Sequence, residues 1–180
     1  MNSLDPVVGT IACGSCAALF AVAGAHKLRA RSEFAATLAG YRVLPARLVP
    51  AASFLVPTLE LLIASALLMP GARAPASLSG AALLVLYAAA IGLNLLRGRQ
   101  QLDCGCLGPR GGGVISRALV WRNTLMACAL AVAGNLRWNG RREYWLDAST
   151  VLAAVCALAL LYSAVNGLFV LAARQHPQGG

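Results

Sequence analysis

Residues 48–69 read LVPAASFLVPTLELLIASALLM, and Pro70-Gly71 closes the run. A single charged residue, Glu60, interrupts these 22 positions. A helix of roughly 20 apolar residues crosses the hydrocarbon core of a bilayer. This stretch therefore predicts a membrane-spanning helix. A carboxyl group at mid-span is costly, and by default it marks function. Working outward, four more stretches qualify. They are 7–25 (after the helix-start signal Asp5-Pro6), 75–96, 114–136 with Arg117 and Arg122 inside it, and 148–173. The expected fold class is all-α: a polytopic membrane bundle of four core helices plus a fifth. Segment 26–47 carries Phe34, Leu38 and Tyr41 at helical spacing and reads as an amphipathic interfacial piece. With no compositional break and no internal repeat, residues 1–180 read as one integral membrane domain. The four-helix core covers 7–135, and 136–180 add a loop and the fifth helix.

Composition agrees. The chain has 180 residues, 59% of them apolar and 12% charged. Soluble domains average about 45–50% and about 25%. A chain this short has too little interior to hide such an excess from water. Disorder is excluded by the hydrophobicity, and a coiled coil by the lack of charged flanking positions. The net charge of +9 comes from Lys27 and the arginines. In a membrane protein such charge reports topology and contact with anionic lipid rather than nucleic acid. The N-terminus, Met1-Asn2-Ser3-Leu4-Asp5-Pro6, lacks the basic region of a secretory signal, so cleavage is not expected. An outside N-terminus places Lys27 and ten arginines on the inner side. Only Arg73, Arg137, Arg141 and Arg142 fall on the outer side. Charge alone thus favours N-out and C-in. Trp138, Tyr144 and Trp145 cluster beside the last two spans, as interfacial aromatics do. The expected home is the bacterial cytoplasmic membrane, crossed several times.

Four of the six cysteines form close pairs. Cys13-Gly14-Ser15-Cys16 lies in the first span, where positions three apart share a helix face and the two sulfurs can meet. Such spacing can close a reversible disulfide, while cysteine is also a small apolar residue suited to packing. Cys104 and Cys106 lie in Asp103-Cys104-Gly105-Cys106-Leu107-Gly108-Pro109, a polar, glycine-rich connection where packing does not require them. A disulfide across C-x-C closes a tight ring, and strained, exposed disulfides tend to be catalytic or regulatory. Paired thiolates also capture soft metals. Cys128 and Cys156 stand alone in their spans and read as packing residues.

Glu60 needs a partner. Arg122, at similar depth in the fourth span, is the first candidate, and His26-Lys27 at the end of the first span is the second. Asn94 and Asn123 are candidates for hydrogen bonds between helices. His26 alone reads as a surface residue near the membrane boundary. No histidine–carboxylate cluster suits zinc or a di-iron centre. There is no phosphate-binding loop and no nucleophile elbow.

The order of these residues carries a resemblance. Gly24-Ala25-His26-Lys27-Leu28 is followed by Phe34 and Gly40-Tyr41-Arg42-Val43-Leu44-Pro45. Glu60 comes next, then Asn94-Leu95-Leu96-Arg97-Gly98-Arg99, the Cys104/Cys106 loop, Ser116 and Arg122-Asn123. Over about residues 7–135 this resembles the methylamine-utilisation MauE family, which is related to DoxX-like membrane proteins. The resemblance implies a thiol–disulfide redox protein that works with an extracytoplasmic thioredoxin-like partner, supporting disulfide formation or maturation of exported proteins. Cys104 and Cys106 would then be the exchange pair. The bundle would resemble other four-helix thiol oxidoreductases, which pass electrons to a quinone. On a thiol-redox reading of the residues themselves, electrons would pass to Cys13 and Cys16 or directly to a membrane acceptor, and Glu60, Arg122, His26 and Asn123 would position that acceptor or manage protons. The Cys13/Cys16 pair and the fifth span depart from the family pattern. An exported partner needs the Cys104/Cys106 loop outside, whereas the charge count puts it inside.

Two other readings use the same residues. A soft-metal transporter would hand Hg(II) or Cu(I) between the cysteine pairs. A non-catalytic scaffold would assemble a redox partner and tolerate loss of all four paired cysteines.

Overall fold

The computed structural model describes residues 6–99, 102 and 115–135. Five α-helices follow one another: α1 Pro6–Arg29, α2 Arg31–Tyr41, α3 Val49–Leu68, α4 Arg73–Leu96 and α5 Arg117–Asn135. No strand occurs among the described residues. One-turn 3-10 segments, Ala46–Leu48 and Pro70–Ala72, lead into α3 and α4. The helix ends follow from local chemistry. Pro50 sits in the first turn of α3, where its missing N–H costs nothing. Pro70 cannot continue the preceding helix. Gly98 takes a positive φ of 71° just after α4, as helix-stopping glycines do.

The helices pack as an antiparallel bundle with α2 as a short side piece. α3 lies against α1, α2 and α4, whereas α5 lies against α4 and α1. Gly80 marks the tightest layer. A Cβ there would come within 3.1 Å of the Leu130 and Phe20 side chains and 3.3 Å of Ile63. Four helices thus converge on one small residue, the device by which membrane helices gain packing when lipid is as apolar as their own side chains. Cys13, Ala17, Phe20, Ala64, Leu67, Leu83, Leu84 and Leu130 belong to the core around this layer. A second, smaller core joins Tyr41, Ile91 and Ile115 at the other end.

Among the described residues, three helical stretches are long and apolar enough to cross a membrane: Gly9–Arg29, Ala46–Leu68 and Arg73–Leu96. They match the first three expected spans, with the first running on through His26 and Lys27. The fourth expected span forms α5, but that helix is not among the three; Arg117, Arg122 and Asn123 dilute its apolar content. The fifth, 148–173, lies outside the described residues. Segment 26–47 is helical as expected over Arg31–Tyr41, with Phe34 and Tyr41 turned inward.

Candidate functional site

Gly24 decides how α1 meets α3. A Cβ on it would stand 2.9 Å from the Pro57 carbonyl oxygen and 3.2 Å from the Glu60 Cβ. The two backbones therefore approach closely only because position 24 has no side chain. One turn later on α1, Lys27 reaches across and its Nζ donates to Glu60 Oε1, forming an ion pair in which both side chains are at most 4% exposed. The Tyr87 hydroxyl, from α4, donates to the same oxygen at 2.6 Å. Lys27 Nζ also donates to the Tyr87 oxygen at 3.2 Å. Aromatic faces flank the ammonium: the Tyr87 ring centroid is 4.7 Å away and that of Phe34 is 5.3 Å away. The other carboxylate oxygen, Glu60 Oε2, is buried without a hydrogen-bond partner.

This corrects the expected pairing. Glu60 pairs with Lys27, the second candidate, and not with Arg122. The reason is packing: α3 turns its Glu60 face to α1 and α4, whereas α5 packs against α4 and α1. His26, one residue along, is half-buried and outside the ion pair. Tyr87 was missed in the sequence. Its signal was there: Gly80, Tyr87 and Asn94 lie seven apart on the inner face of α4.

Cys13 and Cys16 share the inward face of α1 as their spacing required. Both are buried free thiols. Cys13 Sγ lies 3.8 Å from the hydroxyl of Ser77, near the start of α4. One turn further out, Arg73 donates to Thr10 Oγ1 at 3.3 Å. The pair is thus embedded in the apolar core near the end of the bundle where α1 and α4 begin. Cys128 corrects another expectation, for it faces outward from α5 instead of packing. Cys104, Cys106 and Cys156 lie outside the described residues.

Asn94 is fully buried, but it does not bond between helices as expected. Its amide donates to the Ala90 carbonyl one turn back on α4, at 3.0 Å. Arg99 Nη1 donates to the Gly40 carbonyl at 3.0 Å and lies 3.5 Å from Asn94 Oδ1, tying the end of α2 to the end of α4. Next, the Ile115 N–H donates to the Leu102 carbonyl at 3.0 Å. That bond joins the two ends of the connection bearing Cys104 and Cys106. On α5, Asn123 is buried and its Nδ2 has no hydrogen-bond partner, while its neighbour Arg122 is half-buried. Leu130 meets Gly80, and α5 runs antiparallel to α4. Asn123, seven residues before Leu130, therefore stands level with Tyr87, seven after Gly80.

A family model described as methylamine utilisation protein MauE matches residues 5–136. The chain belongs to the MauE family. Methylamine utilization protein MauE of Paracoccus denitrificans is 36% identical over 149 residues, covering 82% of this chain and 80% of the relative. The MauE protein of Methylophilus methylotrophus is 35% identical over 178 residues, covering 96% and 91%. That of Paracoccus versutus is 36% identical over 161 residues, covering 89% and 86%. No solved structure matches the chain. The MauE match ends at residue 136, so it spans all five described helices.

Proposed function

We propose that this MauE-family chain is a membrane thiol–disulfide redox protein of methylamine utilisation. It exchanges electrons with an extracytoplasmic thioredoxin-like partner and so supports maturation of exported proteins. The observation that carries the reading is the Leu102–Ile115 hydrogen bond at the end of the bundle. Cys104 follows Leu102 by two residues, a tether of at most about 7 Å. In this reading the pair works at that end of the bundle, where a protein partner could reach it. Cys13 and Cys16, by contrast, are buried behind α4 and are closed to a protein partner. Ser77, beside Cys13, lies nineteen residues before Leu96, or roughly 28 Å along α4. The two pairs do not exchange directly in this reading.

The exchange is a thiol–disulfide reaction. A partner thiolate attacks the Cys104–Cys106 disulfide, giving a mixed disulfide through one cysteine and a free thiolate on the other. The partner's second thiolate then displaces that cysteine, leaving the partner oxidised and the pair reduced by two electrons. A quinone-class acceptor would supply the two-electron, two-proton sink within the bilayer. Asn123 Nδ2, buried with no acceptor, is the donor that would hold its carbonyl oxygen.

The test is to replace Cys106 with serine: the Cys104 thiolate then attacks the disulfide of the oxidised partner in the reverse sense of the exchange, and with no Cys106 to displace it the partner should stay trapped on Cys104 as a reducible adduct. If neither Cys104→Ser nor Cys106→Ser traps a partner and both keep full function, the reading fails. A soft-metal transporter draws on the two free thiols one turn apart on α1. It predicts binding of Cu(I) or Hg(II) to the reduced chain, and a chain inert to both metals would exclude it.

A further inference from the structure

We infer that the Lys27–Glu60–Tyr87 cluster is a proton-binding site in the middle of the bundle. It is loaded at Glu60 Oε2 and reached from the end where α4 stops. The inference goes beyond the thiol chemistry and does not depend on it. Two donors from two different helices converge on Oε1, which leaves Oε2 buried with nothing to accept from. An ion pair built purely for stability in a dry interior uses both carboxylate oxygens, because each unsatisfied polar atom there is costly. A proton on Oε2 turns the carboxylate into a neutral acid and leaves the Lys27 ammonium without its counter-charge. The rings of Tyr87 and Phe34, 4.7 and 5.3 Å from Nζ, are placed to hold that ammonium through their negative faces. The Tyr87 hydroxyl remains within reach of both groups. No atom other than the proton is gained or lost.

The charged and titratable groups around Glu60 can be named helix by helix. α1 supplies Lys27, and α4 supplies Tyr87. The Arg31 guanidinium of α2 is turned away, to the Ser53 hydroxyl and the Pro50 carbonyl. α5 places Arg122 and Asn123 at the level of Tyr87. Access differs between the two directions. Towards the end of α4 polar side chains, Asn94 and then Arg99, run beside the small apolar core of Tyr41, Ile91 and Ile115. In the opposite direction the next layer is Phe20, Ile63 and Leu130 closed on Gly80, all buried and apolar. That layer is a plug.

Infrared difference spectra of the purified full chain between neutral and acid buffer test this. The expected result is a protonated-carboxyl stretch in the wild type that shifts in D2O, is lost in Glu60→Gln, and returns displaced in Glu60→Asp. If Glu60→Gln does not fold, the double variant Lys27→Met/Glu60→Gln, which removes both charges, supplies the reference. Identical spectra with and without Glu60 across the whole pH range would show a permanently ionised structural pair and overturn the inference. Asn94→Leu should slow the appearance of the band after a pH jump several-fold while leaving its amplitude; an unchanged rate would refute the access route. A chain with Cys13, Cys16, Cys104 and Cys106 replaced should keep the band. Its disappearance there would tie the signal to the thiols and refute an independent proton site.

Discussion

Lys27 and Glu60 show at the scale of single residues why one missing partner matters more than the pair. Removing one member of a buried ion pair leaves an uncompensated charge, at a cost of about 3–5 kcal/mol. Lys27→Met should therefore lower thermal stability in detergent strongly. Lys27→Met/Glu60→Leu, which removes both charges, should recover most of the loss. A double variant no more stable than the single one would show that the pair does not act as a unit. Gly24 is equally specific. Gly24→Val forces α1 away from the Pro57 carbonyl and should cost about 1–3 kcal/mol through overpacking. That Glu60 would be paired was legible in the sequence, because a charged acid inside an apolar span is too costly to stand alone. Its partner was not, since depth alone cannot say which neighbouring helix a side chain faces.

At the scale of elements, two helix ends share one backbone conformation, and opposite changes there should have opposite signs. Arg42 adopts a positive φ of 49° after α2, and Gly98 one of 71° after α4. A left-handed conformation costs a non-glycine residue roughly 1–2 kcal/mol. Arg42→Gly should therefore raise the unfolding midpoint, and Gly98→Ala should lower it. Equal shifts of one sign at both sites would contradict the backbone assignment. The Leu130 side chain fills the layer at Gly80, so Leu130→Ala should cost about 2–5 kcal/mol. The spans of α1, α3 and α4 could be read from runs of apolar residues bounded by proline and glycine. α5 could be placed as a helix, but its charges hide whether it spans. The inward faces were only half legible: Phe34 and Tyr41 follow the helical period, whereas outward Cys128 looks in sequence like any small packing residue.

Across the whole molecule, most of the described arginines are gathered at one end, with Arg122 inside α5. Arg29, Arg31, Arg42, Arg47, Arg97, Arg99 and Arg117 lie where α1 ends, α3 begins and α4 gives way to α5, while Arg73 lies at the other end. The Leu102–Ile115 bond, and with it the root of the Cys104/Cys106 connection, belongs to the basic end. Positive residues favour the cytoplasmic side, while an exported partner requires the opposite one. This tension makes the sidedness and redox state of that pair the decisive observable. The measurement is thiol labelling in intact cells, using a chain that keeps Cys104 and Cys106 and has its other cysteines replaced. The reagent is a membrane-impermeant maleimide, applied before and after mild reduction. The proposed function predicts labelling from outside only after reduction, as for an external disulfide. Labelling from outside without reduction would contradict a resting disulfide, and labelling only in inverted membrane vesicles would contradict an extracytoplasmic exchange pair.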